Sequence, residues 1–148
     1  MSREIIESSR QDIAEVERFF AAFRLTMDHR PSDGGWTASQ CLAHLADAEI
    51  SLSLRIRMML TSERYSFANW DEDAFAVIKV DRDPKTSVSV FKSLRESNLE
   101  ILSGLTNSDF ERVGIRANGD SITLGDYVAM MSRHVRAHLD QAVKAAQG

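Results

Sequence analysis

The sequence has few of the residues that cross-link or interrupt a chain. Its 148 residues include one cysteine, two prolines and seven glycines. A single cysteine, Cys41, excludes an internal disulfide framework. Because most of the prolines and glycines fall near the ends of predicted segments, their scarcity favours a helical protein. The formal net charge is −4 and no basic run stands out, so we expect no nucleic-acid partner.

Long apolar runs are also missing from the sequence. No stretch is long enough to span a bilayer, and residues 1–10 show no signal-peptide pattern. We therefore expect a cytoplasmic protein without a membrane partner. Hydrophobic residues make up 43% of the chain and charged residues 27%, which is an ordinary globular balance. The length suits a single domain that spans residues 1–148.

Four long segments carry apolar residues at helical spacing. They cover about residues 3–25, 37–60, 84–105 and 123–147. Four amphipathic helices predict an all-α fold, a four-helix bundle. The connection between the second and third helices, residues 61–85, is long for a compact domain and indicates a crossover or a lid. A simple up-down-up-down order is therefore not required.

Local signals mark two of the helix starts and part of the connections. Thr37 with Gln40, and Thr123 with Asp126, have the spacing of a capping box. Residues 71–79 are expected to form a short helix. A hairpin-like turn is expected around residues 118–120.

Two aromatic residues stand out in the long connection, Trp70 and Phe75. We expect them to form a satellite packing cluster, with stacking against a substrate as the alternative.

Two histidines of the last helix point to a metal site. His134 and His138 are four residues apart on the edge of the apolar face, so both imidazoles can reach one ligand. Val135 stands where the H-E-x-x-H motif has its glutamate, so no general base is built into the pair. His44, on the shoulder of the second helix's apolar stripe, is the natural third ligand. The alternative is that all three are satisfied core residues.

Three neutral imidazoles around a divalent ion would leave coordination positions open for water or substrate. Such an ion lowers the pKa of a bound water and can hold a bound thiol as thiolate. Zinc, nickel and iron(II) all accept imidazole ligands, so the residues do not choose among them.

Several residues near His44 have two readings. Cys41 is expected to be a packing residue of the apolar stripe. Tyr127 is either a core tyrosine with a tethered hydroxyl or part of a pocket wall. Gln40 and Asp47 flank His44 by one turn each and are candidates for supporting hydrogen bonds, although Asp47 is expected to be solvated.

Glu49 lies on the apolar stripe itself, which is an unusual place for an acid. A buried carboxylate needs a partner, either an arginine from another helix or the metal neighbourhood. If the protein is a hydrolase, Glu49 is the candidate catalytic residue and would act as proton acceptor.

Two segments resemble one known family. Residues 36–49, which read Trp-Thr-Ala-Ser-Gln-Cys-Leu-Ala-His-Leu-Ala-Asp-Ala-Glu, are similar to the second-helix segment of the DinB-like (DinB/YfiT) superfamily. Residues 123–141 resemble its closing helix. The resemblance implies a four-helix bundle with a long crossover between helices 2 and 3, and a homodimer. It also implies a divalent metal held by three histidines, which map onto His44, His134 and His138.

Members of this superfamily include S-transferases and isomerases that use low-molecular-weight thiols such as mycothiol or bacillithiol. Others are named as metal-dependent hydrolases. We favour a metal-dependent transferase in which an external thiol attacks a small electrophilic substrate, because the chain has only one cysteine of its own. The alternatives are a metal-dependent hydrolase and a non-catalytic, metal-stabilised dimeric binding protein.

Overall fold

The computed structural model describes residues 2–148, which form the predicted all-α four-helix bundle with a small sheet at one side. The helices are α1 (Ser2–Phe23), α2 (Ala38–Thr61), α3 (Glu72–Ala76), α4 (Pro84–Ser103), α5 (Asn107–Phe110) and α6 (Leu124–Gln147). The strands are β1 (Tyr65–Ser66), β2 (Val113–Ile115) and β3 (Ser121–Thr123). The short helix predicted in the long connection is present as α3, which is shorter than expected.

The four long helices do not follow one another around the bundle. Helices α1 and α2 each pack against both α4 and α6. The cyclic order is therefore α1–α4–α2–α6, which differs from the sequential ring of an up-down-up-down bundle. This arrangement places α2 beside α6, and these two helices carry the candidate metal ligands.

The starts of α2 and α6 follow the predicted signals to different degrees. At α2, the Thr37 hydroxyl accepts a bond from the Gln40 backbone at 3.1 Å, and the Gln40 side chain accepts from the Thr37 backbone at 3.0 Å. This is the complete capping box. At α6, the Thr123 hydroxyl accepts from the Asp126 backbone at 3.1 Å. Within residues 2–148, the Asp126 side chain does not accept a bond from the Thr123 backbone in return, so the capping box is incomplete. Thr123 is also the last residue of β3.

The sheet contains one element that the sequence did not reveal. Strands β2 and β3 pair in antiparallel fashion around the predicted turn, and β1 pairs parallel to β2. Strand β1 has only two residues, too few to show an alternating pattern. Gly114 of β2 allows the Phe67 ring to approach the backbone, since a Cβ at this position would lie 2.5 Å from a ring carbon.

A buried ion network joins the four long helices. Arg95 is 1% exposed, and its guanidinium donates two bonds of 2.8 Å to Glu49 and one of 2.9 Å to Asp12. Asn98 donates to Glu49 at 3.0 Å, and the Ser132 hydroxyl donates to Asp12 at 2.7 Å. Burial raises the pKa of Asp12, while these bonds from Ser132 and Arg95 lower it. The expected partner of Glu49 is thus an arginine from another helix.

The long connection is fastened to α2 by a second ion pair. Arg82 donates to both carboxylate oxygens of Asp47, at 2.9 and 2.8 Å, and also to the Phe75 carbonyl at 3.3 Å. The expectation that Asp47 is solvated was wrong, because Arg82 folds back over α2 and leaves this residue 9% exposed.

Among residues 2–148, no helix combines the length and the apolar character needed to cross a bilayer.

The ion network predicts a large stability effect at one position. Replacing Arg95 by alanine should lower the free energy of unfolding by about 3–5 kcal/mol, because two carboxylates would stay buried without their cation. The matched control on the same helix is Lys92→Ala, whose exposed pair with Glu17 at 3.4 Å should contribute less than about 1 kcal/mol. Urea denaturation measures both. Equal losses in the two variants would contradict the central role of Arg95.

Candidate metal centre

The three predicted histidines come together between α2 and α6. The Nε2 atoms of His44 and His134 lie 3.0 Å apart. The His138 ring centroid lies 4.3 Å from that of His44 and 4.4 Å from that of His134. One ring nitrogen from each residue can be chosen so that all three lie within 4.8 Å of one another.

Helix geometry and helix packing together produce this cluster. Residues four apart on α6 lie one turn above each other on one face, so His134 and His138 point in the same direction. Helix α2 packs against that face and presents His44, which is 1% exposed. The other two histidines are partly exposed, so the cluster is closed on the core side and open on the other.

Burial makes two of the imidazoles poor bases. Burial is the main cause and the charge of the neighbouring His138 the second, and together with weaker effects they lower the pKa of His44 to about 4 and that of His134 to about 3. A lowered histidine pKa means that the ring is neutral at pH 7. Neutral imidazole is the form that binds metal ions.

Hydrogen bonding is incomplete at two of the three histidines. The Nδ1 atoms of His44 and His134 are buried and have no hydrogen-bond partner within residues 2–148. An unsatisfied buried polar group costs about 1–3 kcal/mol. For His138, the Gln141 Oε1 atom lies 2.9 Å from Nδ1. Because that oxygen accepts, Nδ1 carries the proton and the Nε2 lone pair stays available.

The donor set fits a divalent transition-metal ion. Imidazole nitrogens bind zinc at about 2.0–2.1 Å, so two of them on a tetrahedral ion lie about 3.3 Å apart. The nitrogens here span up to 4.8 Å, which small side-chain rotations would close. Three nitrogen donors without a carboxylate suit zinc, nickel or iron(II) rather than magnesium or calcium.

Two tryptophans border the histidines. The Trp36 ring stacks on His138 with centroids 6.1 Å apart and also lies 5.1 Å from His44. The Trp70 ring stacks on His44 at 6.0 Å and meets Phe75 edge-on at 4.9 Å. Trp70 therefore makes the predicted packing contact with Phe75 and, in addition, forms part of the site. The role of Trp36 was missed, because an aromatic residue before a helix cap carries no signal of this kind.

The remaining candidate residues lie near the cluster without joining it. Cys41 is fully buried, and burial raises the pKa of its thiol to about 12, so it is a neutral packing residue. Gln40 is engaged in the α2 cap. Both oxygens of Glu49 accept from Arg95. Within residues 2–148, no hydrogen bond joins Gln40, Asp47 or Glu49 to a histidine of the cluster.

A cavity leads from the surface to His134. Its volume is about 370 Å³, and its walls include Trp70 and Tyr127. Tyr127 is 1% exposed, and its hydroxyl accepts a bond of 2.9 Å from Arg55. Burial raises the pKa of Tyr127, against the lowering effect of Arg55. Both readings of Tyr127 therefore apply, since it is a tethered core residue that also lines the pocket.

Comparison with known proteins identifies the family and agrees with the fold. The family model described as "DinB superfamily" matches residues 11–142. A Bacillus pumilus protein named "Putative metal-dependent hydrolase" is 28% identical, and the match covers 99% of this chain and 89% of that protein. Bacillus subtilis YfiT, which carries the same descriptive name, is 30% identical over 74% of this chain and 65% of its own length.

Two solved structures share the fold. YfiT from Bacillus subtilis, described as having "an unusual four-helix bundle topology", superposes with a TM-score of 0.90 at 23% identity, covering 99% of this chain and 86% of that one. A mycothiol-dependent maleylpyruvate isomerase superposes with a TM-score of 0.73 at 17% identity, covering 95% of this chain and 60% of that one. The family match, the bundle order and the histidine cluster lead to one conclusion: the chain belongs to the DinB superfamily.

Proposed function

We propose that this protein is a metal-dependent enzyme that transfers an external thiol to a small electrophilic molecule. The observation that carries the proposal is the cluster of three imidazole nitrogens within 4.8 Å of one another, with His134 lining a cavity of about 370 Å³. Two of the imidazoles are held neutral chiefly by burial. In this proposal His44, His134 and His138 are the metal ligands.

A divalent ion in this site would supply Lewis acidity, which lowers the pKa of a thiol or water in an open coordination position. The chain's own residues then have separable tasks. Gln141 fixes the orientation and tautomer of His138 through its bond of 2.9 Å. Trp36, which stacks on His138, and Trp70, which stacks on His44, limit the access of water to these histidines. The cavity admits the electrophile beside His134.

The state of Cys41 supports an external thiol. It is the chain's one cysteine, and its buried, protonated thiol is not a nucleophile at neutral pH. In the transfer, the sulfur of the external thiol forms a bond to an electrophilic carbon and the thiol proton passes to solvent. In a substitution, the same carbon releases its leaving group with the bonding electron pair. In an addition to a double bond, the electron pair moves to the neighbouring carbon, which takes up a proton from solvent. A mycothiol-dependent isomerase has the same fold, which agrees with this use of the bundle.

Hydrolysis is the second candidate, and the names of the Bacillus relatives favour it. Hydrolysis by metal-bound water is assisted by a group that takes a proton from that water. Glu49 is the candidate from the sequence, but its carboxylate is 1% exposed and is shared between Arg95 and Asn98. We rank thiol transfer first, because a free thiol has a pKa of about 8.5 and water one of about 15.7, so a thiol ionises at a metal with far less help from a base.

We also propose that the protein forms a homodimer, as the family resemblance implies. Ile50 and Leu54 on α2 are each 54% exposed. They lie one turn apart and form an apolar strip on the outer side of the helix. If the protein binds a metal but has no activity, the remaining candidate is a non-catalytic binding protein whose dimer is stabilised by the metal.

Metal affinity should depend on the histidine cluster alone. Protein purified without chelator should contain about one equivalent of a divalent metal, and His138→Ala should bind zinc at least about tenfold more weakly in a chelator competition. His29→Ala is the matched control, because His29 is exposed in the turn between α1 and α2. Equal affinities in wild type and His138→Ala would remove the proposed centre.

Activity assays should separate the two reactions. Metal-loaded protein is expected to consume a low-molecular-weight thiol in the presence of small electrophiles, and chelation should stop this. Cys41→Ala should keep this activity, because that thiol takes no part. The absence of metal-dependent thiol consumption over a broad panel of electrophiles would exclude the transferase.

The hydrolase has its own signature in the same assays. In that case Glu49→Gln should abolish ester or amide hydrolysis while the metal content stays at the wild-type level. Unchanged turnover in Glu49→Gln would exclude a catalytic role for Glu49, whose role would then be only the structural ion pair with Arg95.

A further inference from the structure

The cavity next to the histidines has a distinct charge pattern. It is lined by two arginines, Arg55 and Arg116, and by one acidic residue, Glu72. The chain as a whole carries a formal net charge of −4, so this excess of positive charge is local. A concave, partly apolar site with a few converging charges is typical of a small-molecule pocket.

Arg55 is held in place before any ligand arrives. Its Nη1 donates to the Tyr127 hydroxyl at 2.9 Å, and its Nη2 donates to the Ala68 carbonyl at 2.9 Å. The guanidinium carbon lies 4.5 Å above the centre of the Phe67 ring. These contacts fix the rotamer, and they are all neutral. Within residues 2–148, no carboxylate lies within 4.0 Å of this guanidinium, so its positive charge is not paired.

Arg116 brings a second charge from the β2–β3 hairpin. Its backbone nitrogen donates to the Asp120 carbonyl at 2.8 Å, and its carbonyl accepts from Gly119 at 2.9 Å, so the turn fixes where the side chain begins. The side chain is exposed. No ion pair to it occurs in the described part of the chain, which leaves the guanidinium free to meet a ligand.

We propose that Arg55 and Arg116 bind the carboxylate of a small, flat organic acid, whose apolar body lies along Trp70 and Tyr127. The planar donors of a guanidinium match the two oxygens of a carboxylate, and aromatic walls suit an unsaturated or aromatic body. The far end of such a molecule would meet His134. A phosphate monoester presents similar oxygens, so the shared recognition chemistry is an oxyanion on an apolar body.

This inference rests on the proposed function, in that it names the class of electrophile which the site would receive. Its test does not depend on turnover. Isothermal titration calorimetry would compare cinnamate, neutral cinnamamide and phenyl phosphate, with both metal-free and zinc-loaded protein. The variants are Arg116→Gln and the control Arg24→Gln, which removes an exposed arginine from the 3-10 turn after α1, outside the cavity.

Wild-type protein should bind cinnamate at least about tenfold more tightly than cinnamamide, because only the carboxylate can form charge-assisted hydrogen bonds with the arginines. Arg116→Gln should remove most of that preference, and Arg24→Gln should keep it. If phenyl phosphate binds more tightly than cinnamate and still depends on Arg116, the oxyanion site stands and its ligand is a phosphate ester.

Two results would overturn the inference. One is equal binding, or no binding, of cinnamate and cinnamamide by the wild type. The other is an anion preference that survives in Arg116→Gln.

Arg55→Lys is the second variant, because lysine keeps the charge but loses the forked geometry. It should weaken cinnamate binding without loss of the folded state. If metal-free protein binds cinnamate and this binding depends on Arg116, the anion site is supported whether or not the histidines bind a metal. The anion site and the metal-dependent function can therefore fail separately.

Discussion

A single buried cation, the Arg95 guanidinium, constrains the arrangement of the bundle. It binds Glu49 on α2 and Asp12 on α1, and Asp12 in turn accepts from Ser132 on α6. A charge in the core of a protein is tolerated only when partners surround it, because its transfer from water is costly. The four long helices must therefore meet in one register. Since α2 and α6 carry His44 and the His134–His138 pair, that register also brings the three imidazoles together.

The core of the protein thus separates two kinds of polar chemistry. The buried carboxylates form ion pairs with arginines: Glu49 and Asp12 pair with Arg95, and Asp47 pairs with Arg82. The histidines are left with no acidic partner in the described structure, and burial keeps two of them neutral. A site built from neutral donors leaves the full charge of a bound divalent ion available to its ligands. This division is the physical basis of our proposal that the site activates an external thiol.

The sequence predicted the features that depend on local spacing, and it missed those that depend on distant partners. The capping box at Thr37 and the two histidines of α6 could be recognised because each involves residues three or four apart. The partner of Glu49 could be predicted as a class, an arginine, but Arg95 could not be named, since many exposed arginines have the same local pattern. Asp47 was misjudged for the same reason, because its partner Arg82 comes from an irregular connection. Gln141 has helical spacing to His138 and could have been found.

The measurement that tests this account most directly is X-ray absorption spectroscopy of the zinc-loaded protein at neutral pH. The account predicts scattering from three imidazole nitrogens at about 2.0–2.1 Å, completed by a light atom from solvent, and no sulfur at about 2.3 Å. Fewer than three imidazoles, or a sulfur that could come only from Cys41, would contradict it. In the first case at least one of the histidines would be a core residue and not a ligand. In the second case Cys41, which is fully buried, would have to leave its packing position to reach the metal.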